Sequence, residues 1–227
     1  AHPLVFRKNK MGYDEFPAQL RFAIADVLRD TEVTKACYQA GYDQDWSIEL
    51  NTQMWEDVNS SLNYLNKIRF REYVGSGLTF LEIKLKNNKG KTIKKRIKVD
   101  SISEEITKKQ QRYIHKIIGY PIEVSAKQWI NFSRVTFVHK TQKERLTMDI
   151  NLTFNNKKDE GDLKNIVIAE VKQERMSRNS DFMKIAKEIS ILPVKISKYC
   201  ISTLELNPEI KQNRFKEKVL FINKLKL

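Results

Sequence analysis

The chain has 227 residues, 41 % of them hydrophobic, which is enough to bury a core and argues against disorder along its whole length. Lys and Arg total 42 against 28 Asp and Glu, a net charge of +14 that favours a polyanionic partner: nucleic acid, anionic lipid or a phosphate-rich small molecule. Cys37 and Cys200 have no metal or redox spacing, and His2, His115 and His139 form no ligand cluster. Buried free thiols and the absence of a zinc site are expected. No apolar run approaches the ~20 residues that span a bilayer, so a cytoplasmic location is the default expectation.

In chain order, residues 3–8 suggest a strand. Residues 14–30 suggest a helix, with Phe16, Leu20, Ile24, Val27 and Leu28 at helical spacing. Short strands are expected over 46–50 and 66–74. A hairpin follows over 80–99. There Leu81, Ile83 and Leu85 alternate with Glu82, Lys84 and Lys86, and after the turn Ile93, Ile97 and Val99 alternate with Lys94, Arg96 and Lys98. Strand side chains alternate between faces, so one face is aliphatic and the other nearly all cationic.

Serines and acidic residues at the start and Gly119 at the end predict a helix over 101–119, and Ser125 is a candidate cap for a short helix reaching Trp129. Strands are predicted over 133–139, 144–154 and 165–173. A helix capped by Ser180 is predicted to run to about Ile191, and another to start at Asn207–Pro208. The absence of repeats and of a Gly/Ser/Pro-rich linker favours one domain, residues 1–227, of class α+β. A long antiparallel meander must close or be covered to manage its edges.

The hairpin's charge segregation recurs. Lys67, Arg69 and Arg71 share a face against Ile68 and Phe70. Arg145, Thr147 and Asp149 oppose Leu146, Met148 and Ile150. Glu170 and Lys172 oppose Val167, Ala169 and Val171, and Arg134 adds a further basic strand residue. An ordinary amphipathic sheet turns such a face to water. An Arg-rich face of one sign instead suits phosphate, which guanidinium groups grip with paired hydrogen bonds. If helices cover the aliphatic faces, the sheet can carry its charges inward. Phe70 and Phe137 fall on apolar sides, which disfavours base stacking and hence nucleic acid.

Several segments together, KIRFREY (67–73), SGLTFLEIKLKNNKGKTIKKRI (76–97), ERLTMDINL (144–152), IVIAEVKQ (166–173) and KISKYCIS (195–202), resemble the vacuolar transporter chaperone domain of the triphosphate tunnel metalloenzymes, over roughly residues 66–225. The resemblance implies a closed antiparallel eight-stranded β-barrel flanked by helices, around a basic tunnel. It implies a polyphosphate polymerase that moves the terminal phosphate of ATP onto a polyphosphate chain and depends on Mn or Mg. The alternatives are an inorganic or nucleoside triphosphatase and a non-catalytic polyphosphate-binding module. By the same resemblance, Arg69, Arg71, Lys84, Arg134, Arg145, Lys195 and Lys198 are the expected catalytic cations, and Lys94, Arg96 and Lys172 contact substrate. Glu170 is the expected metal ligand. For Glu170 the plainer reading is a salt bridge to a neighbouring Lys or Arg.

Overall fold

A computed structural model of the chain describes residues 18–25, 42–49, 54–61, 64–86, 92–174, 180–210 and 212–226. Side chains are described from residue 67 onward. The strands are β1 (Ala18–Ala25), β2 (Tyr42–Glu49), β3 (Met54–Ser61), β4 (Tyr64–Tyr73), β5 (Leu78–Lys86), β6 (Thr92–Val99), β7 (Trp129–His139), β8 (Glu144–Asn155), β9 (Glu160–Leu163) and β10 (Ile166–Gln173). The α-helices are α1 (Lys108–Ile118), α2 (Asp181–Glu188), α3 (Lys198–Leu206) and α4 (Lys216–Lys226). The chain divides into two compact units. One takes Ala1–Ile48, Phe132–Leu152 and Asp162–Leu227; the other takes Glu49–Asn131 and Thr153–Gly161.

In the second unit β3, β4, β5 and β6 form an antiparallel sheet of four strands in sequence order. The register sets Lys67 opposite Lys84 and Lys84 opposite Lys94, then Arg69 opposite Glu82 and Glu82 opposite Arg96. The other face carries Ile68, Phe70, Leu81 and Ile83, all fully buried, and α1 packs Ile114 onto them with Ile122 alongside. A capping box starts α1: Thr107 Oγ1 accepts from the Gln110 N–H, and Gln110 Oε1 accepts from the Thr107 N–H at 2.9 Å. Gly119 ends the helix with φ 92°, a left-handed conformation suited to glycine.

In the first unit β10 lies between β1 and β8 in a three-stranded antiparallel sheet. Leu146, Met148, Val167, Ala169 and Val171 form one face. Phe137 of β7 and Phe182, Ile185 and Ala186 of α2 pack into the same core. The Ser180 side chain caps α2 by accepting from the Met183 N–H. His139, at the end of β7, ties the following turn to α2. The Thr141 and Gln142 N–H groups donate to its Nδ1 at 3.2 and 3.1 Å, so its proton sits on Nε2 and is donated to Asp181 Oδ2 at 3.0 Å. That hydrogen bond, helped by Lys184, holds the Asp181 carboxyl below its usual range against the opposing effect of burial.

Several expectations need correction. Neither sheet is a closed eight-stranded barrel: in each, the outer strands do not pair with one another among the described residues. The outer strand β6 has a row of exposed Lys and Arg side chains, the composition that keeps an edge open to water rather than paired. Within the expected helix over 14–30, residues 18–25 are strand β1; the rest of that span and the expected strand over 3–8 lie outside the described residues. The first helix after the hairpin begins at Lys108, because Ser103 accepts from the Glu105 N–H in a local turn and Thr107 supplies the cap. No helix lies between Ser125 and Trp129, and past Asn207 the α-helix begins only at Lys216. Cys200 is a free thiol but only half-buried, and Cys37 lies outside the described residues.

Ile114 is the anchor of α1 on the second unit's sheet. Ile114→Ala is expected to lower unfolding stability by about 2–5 kcal/mol, measured by urea titration, through lost apolar burial and the cavity left behind.

Candidate phosphate-binding faces

The faces opposite the two apolar cores hold most of the predicted site residues, and most of those are buried. In the second unit, β4, β5 and β6 lay out a grid. One row is Lys67, Lys84 and Lys94; the next is Arg69, Glu82 and Arg96; the third is Arg71, Phe80 and Lys98. Glu82, fully buried, is the carboxylate within that grid. Arg69 Nε donates to its Oε2 at 2.7 Å and Arg69 Nη2 to the same oxygen, while Lys94 Nζ meets Oε1 at 2.7 Å. Burial alone would raise the Glu82 pKa, but Arg69, Arg71 and Lys94 together outweigh it and hold the carboxyl well below its usual range. Arg71 donates to the Tyr73 hydroxyl at 3.1 Å, and the exposed Arg96 guanidinium stacks 4.7 Å over the Phe80 ring.

Lys84 is half-buried in this grid, and no carboxylate pairs with it among the described residues. Repulsion from Arg69, then burial, then Arg71, lowers its pKa to about 6, against partial support from Glu82. Burial also lowers the Lys94 pKa, and Glu82 opposes the shift.

In the first unit the same logic is built from other elements. Arg134 on β7 forks onto Asp149 of β8, with Nε to Oδ1 at 2.6 Å and Nη2 to Oδ2 at 2.8 Å. Lys198, the first residue of α3, joins Asp149 Oδ2. Both cations lie over the Phe132 ring, at 5.3 Å for Arg134 and 5.0 Å for Lys198. Burial would raise the Asp149 pKa, but Arg134 and Lys198 reverse this and hold it well below the usual range. Burial lowers the Lys198 pKa, with Asp149 opposing. On the same face of the three-stranded sheet, Arg145 lies in register with Lys172, and both are buried. Lys172 Nζ meets Glu170 Oε1 at 2.9 Å, the plainer of the two readings of Glu170.

The structure thus gathers Arg69, Arg71, Lys84, Lys94 and Arg96 on one sheet face, and Arg134, Arg145, Glu170, Lys172 and Lys198 within the other unit. Lys195 is exposed in the segment before α3 and joins no group of these among the described residues. The sequence reading did not single out Glu82 and Asp149 as site residues. Their signal was present, since each alternates onto the cationic face of its strand, but which cations they would meet depended on register. The described residues contain no group of three or more His, Cys, Asp or Glu side chains able to hold a metal. A divalent ion at Glu170 would draw one carboxylate from the protein, displacing the Lys172 ammonium, and the rest of its oxygens from phosphate and water, a ligand set Mg and Mn accept.

A family model for the VTC domain matches residues 49–207. The chain belongs to the VTC domain family. Membership relates it to polyphosphate and triphosphate chemistry in general, and to binding of those anions. Among solved structures, it is similar to a conserved hypothetical protein from Pyrococcus furiosus (13 % identity, TM-score 0.41, covering 77 % of this chain and 92 % of that one). It is also similar to a candidate adenylate cyclase from Bacillus halodurans (13 % identity, TM-score 0.44, covering 87 % of this VTC-domain chain and 96 % of that one). No curated protein matches the chain. Among the described residues no helix is long and apolar enough to cross a membrane.

Asp149→Asn removes the carboxylate that Arg134 and Lys198 share. It is expected to cost about 3–5 kcal/mol in chemical denaturation. Lys84 gives the opposite sign. Its folded pKa lies below its unfolded one, so the unfolded state binds more protons between pH of about 6 and the ordinary lysine range, and stability rises with pH across that window. Lys84→Met is expected to be more stable than wild type at pH 6, with the gap narrowing by pH 9; an equal gap at both values would contradict the shift.

Proposed function

We propose that this VTC domain is a polyphosphate polymerase-like phosphotransferase that moves the terminal phosphate of ATP onto a polyphosphate chain. The observation that carries the reading is the pair of buried, Arg-rich sheet faces in a family tied to polyphosphate and triphosphate. Phosphoryl transfer asks little covalent chemistry of a protein; positioning and charge neutralisation supply most of the rate. In the second unit Arg69 and Arg71 grip phosphate oxygens, with Lys84, Lys94 and Arg96 as further cations on that face. In the first unit Arg134 and Arg145 do the same, and Lys172 contacts substrate. Lys198 and Lys195 neutralise charge on the leaving or accepting phosphate. Glu170 holds a Mg or Mn ion, which when bound supplies charge neutralisation to phosphate oxygens. With water in place of a phosphate acceptor, the same residues serve a triphosphatase.

A binding-only reading has one observation in its favour. Lys172 already neutralises Glu170, so the carboxylate that would hold the metal is engaged. The two readings part on one variant. Under the polymerase reading, Glu170→Gln lowers polyphosphate synthesis from ATP and Mn by about 100-fold or more while triphosphate still binds. Formation of neither polyphosphate nor free phosphate by the wild-type protein, with triphosphate still bound, establishes the binding module instead. Binding itself is read by thermal shift. Triphosphate at a hundredfold excess over its Kd is expected to stabilise the fold by about 2.7 kcal/mol, and sulfate at equal ionic strength by far less.

A further inference from the structure

Strand alternation puts more than charge on the basic face of β4–β6. Along β4 that face carries Lys67, Arg69, Arg71 and Tyr73, and along β5 it carries Lys84, Glu82, Phe80 and Leu78. The register sets Arg71 beside Phe80, Phe80 beside Lys98, and Tyr73 beside Leu78. Met54 and Glu56 of β3 stand opposite Arg71 and Arg69. The face therefore passes from cations to rings and an aliphatic side chain within one or two rows, each about 7 Å along the strands.

Ring contacts organise that end. The exposed Arg96 guanidinium lies 4.7 Å over the half-buried Phe80 ring. Tyr73 meets Phe80 edge to face, with centroids 6.1 Å apart and planes at 79°, and its hydroxyl accepts from Arg71 Nη1 at 3.1 Å. Phe80 is thus held by aromatic packing and in turn seats Arg96. On the outer strand β6, Arg96 and Lys98 are exposed, as is Leu78 beside Tyr73. A guanidinium seated on a ring offers its second flat side to another planar group, and guanidinium planes stack on bases as aromatic rings do.

We infer that Arg96 and Phe80 form the nucleobase subsite of a nucleoside triphosphate. Its phosphates lie on the cation rows, and its base stacks on the outer plane of Arg96, backed by Phe80. Inorganic triphosphate has no base to place there, so this subsite is what separates the two ligands. A single stack holds one base, which fits a mononucleotide; a single-stranded nucleic acid needs successive platforms for successive bases. Phe70, fully buried on the opposite face of β4, takes no part. The inference rests on the phosphate-binding reading and adds where on the face the base is held.

The test measures ATP and inorganic triphosphate binding to the whole chain by calorimetry, in EDTA so that no metal-dependent turnover occurs. Two variants are compared with wild type. Phe80→Leu removes the ring under the guanidinium, and Arg96→Lys, at an exposed position, keeps the charge but removes the plane. In each, the affinity for ATP relative to triphosphate is expected to fall about fivefold or more, as loss of one base-stacking partner predicts. Equal loss for both ligands, or an unchanged ratio, overturns the subsite and leaves the phosphate reading standing. An oligonucleotide of six deoxyadenosines without a triphosphate, bound as tightly as ATP and weakened by the same variants, also overturns it, in favour of single-stranded nucleic acid. Binding of neither ATP nor triphosphate by wild type, in EDTA or with Mn, overturns the phosphate reading and the subsite with it.

Discussion

A buried cationic face is held together by the carboxylates set into it. Glu170 meets Lys172, and Glu82 in one unit and Asp149 in the other are each gripped by an arginine and by a lysine. Glu82 and Asp149 are almost fully buried, and their ionised form survives there only because the attraction of several cations exceeds the desolvation penalty. Lys84 is where repulsion among these cations shows most clearly. A site of this kind costs stability when empty and recovers it on meeting a polyanion, a trade between stability and function.

The cost is borne by the opposite faces. Ile68, Phe70, Leu81 and Ile83 under α1, and Leu146, Met148, Ala169 and Val171 under α2, are packed as conventional cores. Strand periodicity couples the two: each apolar residue driven under a helix turns its neighbours to the charged side. Ile83 beneath α1 commits Glu82 and Lys84 to the same face. A one-residue slip of β5 would bury its charges beneath α1 and expose its aliphatic side chains, so the hydrophobic core also fixes the register that brings Arg69 to Glu82.

That coupling explains what the sequence made legible. The alternation over 66–74, 80–99 and 144–154 is strong because each strand has one mainly apolar side, and the faces read from it hold in the structure. Leu20, Ile24, Val27 and Leu28 fit a 3.6-residue period and suggest a helix where the structure has β1. Yet Leu20, Phe22 and Ile24 fit a period of two equally well, and pairing with β10 decided between them. β3 reads MWEDVNSS, too polar to announce a strand, and it is held by its ladder to β4. Barrel closure is a property of edges rather than of any strand's own pattern, so no stretch of sequence contained it. The pairing of Asp149 with Lys198 was equally invisible, since it joins a strand to the first turn of a helix 49 positions later.

The two units reach the same electrostatic solution with unequal freedom. On the second unit's sheet the cations and Glu82 all project from neighbouring strands, so their spacing is fixed by the ladder and cannot change without breaking it. In the first unit Lys198 arrives from α3, so its distance from Asp149 depends on how that helix packs as well as on the sheet. A rigid grid suits recognition of a repeating anion, because successive phosphate groups meet cations at set intervals. A lysine carried by a helix can follow charge that moves during transfer. The two units thus bury cations beside an acid by different means, a strand ladder in one and a sheet–helix contact in the other.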